Sequence, residues 1–464
     1  MPLMHDYDFV VIGGGSAGYA GALTAHSLGL KTALIEGAEE LGGLCILRGC
    51  MPSKTLLESA RRYRVIRKAS EFGLSAGEPG FDTAKIIARK RRLIAGFVGF
   101  RSGQLQDGRF ALLRGTAEFT GSHSLNVIAP DGTRTSVEAK SILVATGSAQ
   151  SVPDVPGLAD AGCLTSDDLL DRESLPGSLI VLGGGPVALE MASYCRAFGT
   201  DVTIIQRSPQ ILRGSDKDAA EALAGGLRHD GIEIFAGTKL LRIDKSGNAR
   251  RVVFRHGDRE KSAEGAEILN ALGRHAVIPQ GIPVGTRDGK IAVNLSQQTS
   301  LPHIFAAGDV CSPLEVVHLA IQQAEASARN AARLLKKSAE PLENMDYRLN
   351  LFAVFTEPGF ASVGAGEEEL SSRGIPFRTA KYPFDDHGKS LVMGETAGFA
   401  KLTADARSGE ILGASVVGPE AAELIHEIVV AMRFRATAAD LAAIPHYHPT
   451  LSEIWTYPAE ELAG

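Results

Sequence analysis

Apolar and polar positions fall into distinct blocks along this chain, and each block predicts an element. An apolar strand over residues 7–12 runs into Gly13, Gly15 and Gly18, then a helix of small residues, then a second strand ending at Glu36. The same order recurs over 179–206: an apolar strand, then Gly183, Gly185 and Ala188, a helix, and a strand ending at Gln206. Repeated strand–glycine–helix–strand units predict parallel α/β folding. The C-terminal part reads differently. Alternation in GFAKLTADARSGEILGASVVG predicts a hairpin turning at Ser408 and Gly409, and AAELIHEIVVAMRF has the spacing of an amphipathic helix. The stretch PSKTLLESARRYRVIRK predicts a helix after Cys50. The two glycine patterns are the only internal echo.

Composition narrows the function classes. At roughly 100–200 residues per domain, 464 residues predict two to four domains, and 44% apolar content makes them globular. A net charge of -6 argues against a nucleic-acid partner. Five cysteines do not make a secreted disulfide scaffold. No apolar stretch is long enough to span a membrane. Six residues before the first strand leave no room for a signal peptide, so a cytoplasmic, reduced protein is expected. No metal site emerges. The basic clusters at 61–68 and 89–92 read as solvated helix faces, and His318 reads as a packing residue.

The glycine patterns carry chemistry because of where they stand. Gly13 allows a tight turn, Gly15 lets the backbone approach a pyrophosphate at a helix N-terminus, and Gly18 lets helix and strand pack closely. Glu36 would accept hydrogen bonds from a ribose. In the second pattern Pro186 suits a helix start, where its missing N–H costs little. Neutral Gln206 stands in place of the acid, followed by Arg207 and then Arg213. An acid there would repel a 2′-phosphate and arginines attract one, so NADP(H) is favoured over NAD(H). Two dinucleotide sites in one chain imply a flavin and a nicotinamide.

Cys45 and Cys50 stand in GGLCILRGCMPSK, just after the first pattern. Such a pair stores two electrons as dithiol or disulfide. In a regular helix its Cα atoms would be ~8–9 Å apart, beyond the ~7 Å reach of a disulfide. A bond therefore needs an irregular winding, which Gly49 would permit. The helix after Cys50 puts its positive end close to the pair and favours thiolate. Cys163, Cys195 and Cys311 have no partner spacing and read as structural.

At this point the chain resembles the class I pyridine nucleotide–disulfide oxidoreductases, which include dihydrolipoyl dehydrogenase, glutathione reductase and mercuric reductase. GGLCILRGCMPSK resembles their redox-active segment, SILVATGS and LPHIFAAGDV their later FAD segments, and IPHYHPTLSE their C-terminal acid–base motif. The resemblance implies two Rossmann-like dinucleotide-binding domains plus a C-terminal α+β dimerisation domain. Their expected spans are 1–150 for FAD, 151–271 for NAD(P), 272–344 completing the FAD domain, and 345–464 for the interface.

Roles follow from the resemblance residue by residue. Gly13, Gly15, Ser16, Gly18, Glu36, Lys54, Thr146, Gly147 and Asp309 would bind FAD, with Asp309 on the ribityl chain. Gly183, Gly185, Ala188, Arg207, Arg213 and Gly273 would bind NADP(H). Cys50 would face the flavin and Cys45 the substrate. Lys54 would sit beside the flavin, paired with Glu190. The helix following Asp309 would aim its N-terminus at the flavin. His448, oriented by Glu453, would move the proton in thiol–disulfide exchange. Pro449 excludes helical geometry at His448, and His446 is a weaker candidate for a role. The motif would reach the cysteines of the other subunit, so the site is expected to span a homodimer.

HYHPTLSE is closest to dihydrolipoyl dehydrogenase, whereas the Gln206–Arg213 loop resembles NADPH-using reductases. Leu23 and Thr24 stand where glutathione reductases carry arginines, and Leu44, Arg48 and Met51 depart from the common cysteine segment. The double cysteine expected near the end of mercuric reductases is missing. The expectation is an FAD-dependent NAD(P)H:disulfide or dithiol oxidoreductase acting on a small thiol or disulfide and resembling dihydrolipoyl dehydrogenase. The alternatives are an NADPH-dependent reductase of another small disulfide or a metal, and a flavin dehydrogenase that reduces quinone or oxygen without thiols.

Overall fold

The computed structural model describes residues 5–247 and 249–464. The chain gathers into two compact units. One comprises residues up to Pro52, Lys90–Ser151 and Arg274–Asp346, the other Ser53–Arg89, Val152–Gly273 and Tyr347–Gly464.

The first unit is built on β1 (His5–Ile12), which begins two residues before the apolar run. α1 (Ser16–Ser27) leads to β2 (Thr32–Glu36), which lies parallel to β1. Next come the short α2 (Gly43–Leu47), α3 (Cys50–Arg67), which belongs to the second unit from Ser53 on, and α4 (Thr83–Gln106), which rejoins the first unit at Lys90. β3 (Ala111–Arg114) extends the sheet beyond β2, followed in sequence by β4 (Thr116–Phe119), β5 (Ser124–Ile128) and β6 (Arg134–Val144). β6 is long enough to be shared: its first half pairs antiparallel with β5, its last residues parallel with Ile304–Ala306. Strand alternation splits the core. Phe9 and Val11 pack with Ala22, Leu143, Phe305 and Ala324 on one face; Val10 and Ile12 pack with Ile35, Ile142 and Val144 on the other. Both faces are buried, which is why the strand reads as one continuous apolar run.

The second unit holds a parallel sheet in the order Glu233–Phe235, Asp201–Ile205, Ser178–Leu182, Glu267–Asn270. Its glycine-led helix is Pro186–Ala197, with Pro186 in the first turn. An antiparallel meander follows, Thr238–Ser246, Ala249–His256 and Arg259–Gly265. The C-terminal part is a five-stranded antiparallel sheet. Phe399–Asp405 and Ile411–Gly418 form its hairpin, and the helix Ala421–Arg433 buries Leu424, Ile425, Ile428 and Met432.

Three local expectations change. α3 starts at Cys50 itself. The helix after Asp309 starts only at Val317, with Val316 as its N-cap, and His318 is exposed on its first turn rather than packed. The 61–68 cluster is not a solvated face throughout. Arg64 is largely buried and pairs with Asp230 at 2.5 Å, and Arg61 pairs with Glu420. Lys90 of the second cluster is buried as well. Acids distant in sequence recruited Arg61 and Arg64, which local charge patterning does not reveal.

Candidate active site

The first glycine loop is held by backbone crowding. Gly13 sits at φ +102°, where a Cβ would meet the Ala145 carbonyl oxygen at 2.4 Å. A Cβ on Gly18 would fall 1.7 Å from the Gly13 oxygen, so only glycine lets helix and strand approach this closely. Gly15 caps α1 and Ser16 opens it, leaving free N–H groups at that end. Glu36 accepts hydrogen bonds from Gly14 N and Ala38 N, each at 2.7 Å, which aims its carboxylate at the loop.

Asp309 lies in the same unit and accepts a 2.5 Å bond from the Ser148 hydroxyl. Arg274 holds Ser148 in turn, donating to its hydroxyl at 2.7 Å and its carbonyl at 2.6 Å. Gly308 N donates to the buried Gln323 side chain at 2.9 Å. Thr146 bonds the Val277 carbonyl, and Gly147 adopts φ +70°. A glycine cradle at a helix start, a glutamate aimed at it and a fixed aspartate fit the donor and acceptor set that FAD needs. Sequence reasoning missed Ser148, Arg274 and Gln323.

Cys45 lies on α2 and Cys50 begins α3, and both are half-buried. The helices are broken at Arg48, whose φ of -143° ends α2, so the winding between the thiols is irregular as the bond requires. Gly49 contributes sterically rather than through a positive φ. A Cβ there would lie 3.1 Å from Cys45 Cα and 3.0 Å from the Leu44 carbonyl oxygen. Burial raises the pKa of the other three thiols, Cys195 and Cys311 to about 12.

In the second glycine loop Gly183 repeats the geometry of Gly13, at φ +116° against the Ala271 carbonyl. Gly185 caps its helix and Ala188 is fully buried. The Gln206 side chain packs on Gly184, where a Cβ would stand 3.0 Å from Gln206 Cγ. Leu212 N donates to the Gly184 carbonyl at 2.9 Å, folding the 206–213 segment back against the loop. Arg207 and Arg213 are exposed on that segment. Gly273, at φ +107°, faces open space.

Lys54 on α3 meets Glu190 on the helix Pro186–Ala197, with Nζ 2.9 and 2.8 Å from the two carboxylate oxygens. Glu190 is nearly buried and also accepts the Phe355 N–H at 3.1 Å. The Lys54 ammonium lies 4.8 Å from the Phe355 ring centre.

His448 is exposed, with Nδ1 2.9 and 3.0 Å from the Glu453 oxygens. A carboxylate only accepts, so Nδ1 donates to Glu453, and Nε2 is the ring position left to exchange a proton. Glu453 is fixed by its neighbourhood, since Trp455 is fully buried and its indole N–H bonds the Leu424 carbonyl at 3.0 Å. His446 is buried between Glu427, at 2.6 Å, and the Ile444 carbonyl, at 2.9 Å, and anchors the loop. Asp216, Asp218 and Glu367 cluster tightly, but the Lys401 ammonium fills their centre at 2.6–2.8 Å.

A paired-thiol segment, two glycine-led nucleotide loops and an imidazole–carboxylate dyad define a flavoprotein disulfide oxidoreductase. The chain belongs to the pyridine nucleotide-disulphide oxidoreductase family: residues 7–324 match that family and residues 352–459 match its dimerisation domain. Among its relatives, the dihydrolipoyl dehydrogenase of Bacillus subtilis is 33% identical over 97% of this chain and 96% of its own. The mercuric reductase of Bacillus cereus is 30% identical over 97% of this chain and 70% of its own. The solved Cu(II) complex of the HOCl-induced flavoprotein disulfide reductase RclA from Escherichia coli superposes with a TM-score of 0.85. It is 27% identical and is covered over 100% of its length by 99% of this chain. No helix among the described residues is long and apolar enough to cross a membrane.

Proposed function

We propose that this flavoenzyme is an NADP(H)-preferring disulfide/dithiol oxidoreductase of the dihydrolipoyl dehydrogenase type, acting in the cytoplasm on a small thiol or disulfide. The observation that carries the cofactor choice is the Gln206–Gly184 packing. It puts a neutral side chain where Glu36 stands in the first loop and leaves Arg207 and Arg213 exposed beside it. Bound FAD supplies two-electron exchange between nicotinamide and the thiols. Glu36 and Asp309 would orient it, and Lys54, fixed by Glu190, would present a positive charge to it.

The thiol steps belong to the chain. The Cys45 thiolate attacks one sulfur of a disulfide substrate, forming a mixed disulfide and expelling a thiolate that takes a proton from His448 of the partner subunit. The Cys50 thiolate then attacks Cys45 Sγ, closing the Cys45–Cys50 disulfide and releasing the second thiolate, which takes a proton after solvent has reprotonated His448. Dithiol oxidation is the reverse, with His448 accepting protons. Val430, Phe434, Ile444 and Tyr447 leave apolar surface exposed around the dyad's loop, which supports a homodimer with the site shared across its interface.

Steady-state assays with both nicotinamides over lipoamide, other small disulfides, mercuric ion and a quinone test this reading. A larger kcat/KM with NADPH and loss of disulfide turnover in Cys45→Ser are expected. A larger kcat/KM with NADH would overturn the cofactor choice. Full activity of Cys45→Ser with quinone or oxygen as acceptor would favour a dehydrogenase without thiol chemistry.

A further inference from the structure

Arg101 on α4 has a buried Nη1 with no hydrogen-bond partner among the described residues, and no carboxylate among them pairs with its guanidinium. A charged donor in that state calls for an explanation. Its one close partner is Tyr19 on α1: the guanidinium carbon lies 3.9 Å from the ring centre. The contrast with Arg109 is direct. Arg109 also reaches Tyr19, at its hydroxyl, but Asp107 neutralises it through a 2.7 Å bond. Arg101 keeps its charge uncompensated.

The fold brings this cation to the thiol segment. The start of α2 presses on the start of α1, so closely that a Cβ on Gly43 would lie 2.5 Å from Gly15 Cα. Cys45 is two residues beyond that contact on α2. Tyr19 is one turn beyond it on α1, its N–H bonded to the Gly15 carbonyl at 2.9 Å. Leu41, Leu105 and Tyr19 share one apolar cluster, which fixes the end of α4 against both segments.

We propose that Arg101, held against Tyr19, is a positioning residue that stabilises the Cys45 thiolate and so keeps that thiol in its attacking form at neutral pH. The inference rests on Cys45 being the substrate-facing thiol of the proposed reaction. Burial pulls the Arg101 pKa below its ordinary value, and the groups that oppose this are Tyr19 and Cys45. Cation and thiolate therefore favour each other's charged form.

Alkylation of the reduced holoenzyme dimer tests it, with Cys45 modification by iodoacetamide and by iodoacetate followed from pH 5 to 10 by peptide mass spectrometry. Arg101→Met, which keeps packing against Tyr19, is expected to slow Cys45 alkylation about tenfold at pH 7, with rates converging at pH 10. The iodoacetate-to-iodoacetamide ratio should fall too, because a local cation attracts the anionic reagent. Arg101→Lys should restore both readouts. Arg101→Gln is the second neutral variant should the methionine variant fail to fold. In the wild type, the ratio at Cys45 should exceed that of glutathione and fall with added salt. Profiles and ratios for the neutral variants that coincide with wild type would overturn the role of Arg101 alone. Modification of Cys50 in preference to Cys45 in the reduced wild type would overturn both this inference and the division of labour beneath it.

Discussion

The Lys54 ammonium lies 2.8 Å from a Glu190 carboxylate that is 5% exposed and that also accepts the Phe355 N–H. Three segments far apart in sequence thus converge on one charge pair. Removing Lys54 leaves the Glu190 charge buried without compensation, at a cost of roughly 3–5 kcal/mol, whereas removing Glu190 leaves a Lys54 ammonium that water still reaches. Lys54→Met should lower unfolding stability on that order, Glu190→Ala by less, and both should reduce kcat. Lys54→Met/Glu190→Gln should recover much of the stability but not the turnover. Urea unfolding of the holoenzyme beside steady-state kinetics separates the two effects, and recovery of kcat in the double variant would refute a functional role.

Gly49 offers a purely steric test. An alanine there pushes a methyl to 3.1 Å from Cys45 Cα, tighter than ordinary contact. Overpacking of this kind costs about 1–3 kcal/mol, and here the strain falls on the segment that must bring two sulfurs together. Gly49→Ala should reduce disulfide turnover by about tenfold or more while FAD content stays near wild type and unfolding stability falls by no more than that overpacking cost. Unchanged turnover would mean that the cysteine segment has room the structure does not show.

Nicotinamide preference should follow charge at the 206–213 segment. Arg207→Glu and Arg213→Glu should each raise KM for NADPH on the order of 10–100-fold, the range of a lost charge-assisted bond. KM for NADH should stay nearly constant. A parallel loss for both nucleotides would point to a damaged loop rather than a lost phosphate contact.

Lys401 predicts an alkaline effect. Burial opposes its charge, yet the hydrogen bonds it donates to Asp216, Asp218 and Glu367 outweigh burial and lift its pKa from 10.5 to about 12. A folded-state pKa above the unfolded one stabilises fully below the unfolded value, and that stability is lost as pH rises through the folded one. Wild-type stability should therefore fall across pH 10.5–12 more steeply than that of Lys401→Met, whose overall stability is lower. Equal slopes in denaturant titrations over that window would contradict the assignment.

Thiol reactivity should divide sharply. With their pKa values at about 12, Cys195 and Cys311 are ionised at pH 8 only to about one part in 10⁴. Mass spectrometry of the reduced native enzyme alkylated at pH 8 should find label at Cys45 and Cys50 and almost none at these two. Rapid labelling of Cys311 would show that its pocket opens.

Much of the architecture was legible because it is local. Gly13, Gly18 and Gly183 announce themselves by spacing, since backbone approach at a strand–helix turn admits no side chain. The hairpin at 399–418 and the helix Ala421–Arg433 follow from alternation and helical period. Other features were not legible. Ser148, Asp309 and Arg274 form one chain of hydrogen bonds, though Ser148 is 161 residues from Asp309 and 126 from Arg274. Nothing in the spacing of Arg61 and Arg64 distinguishes them from solvated charges; the acids Glu420, Asp230 and Glu357 do so.

By itself the sequence determined the order of the elements, the two nucleotide loops and the identity of the thiol pair, because these depend on near neighbours in the chain. The tertiary structure alone decided that Gly49 makes room for Cys45, that Glu190 holds Lys54 beside Phe355, and that Arg101 stays unpaired on Tyr19. Each of those depends on which distant groups share a small volume with little water, where charge and steric contact count most.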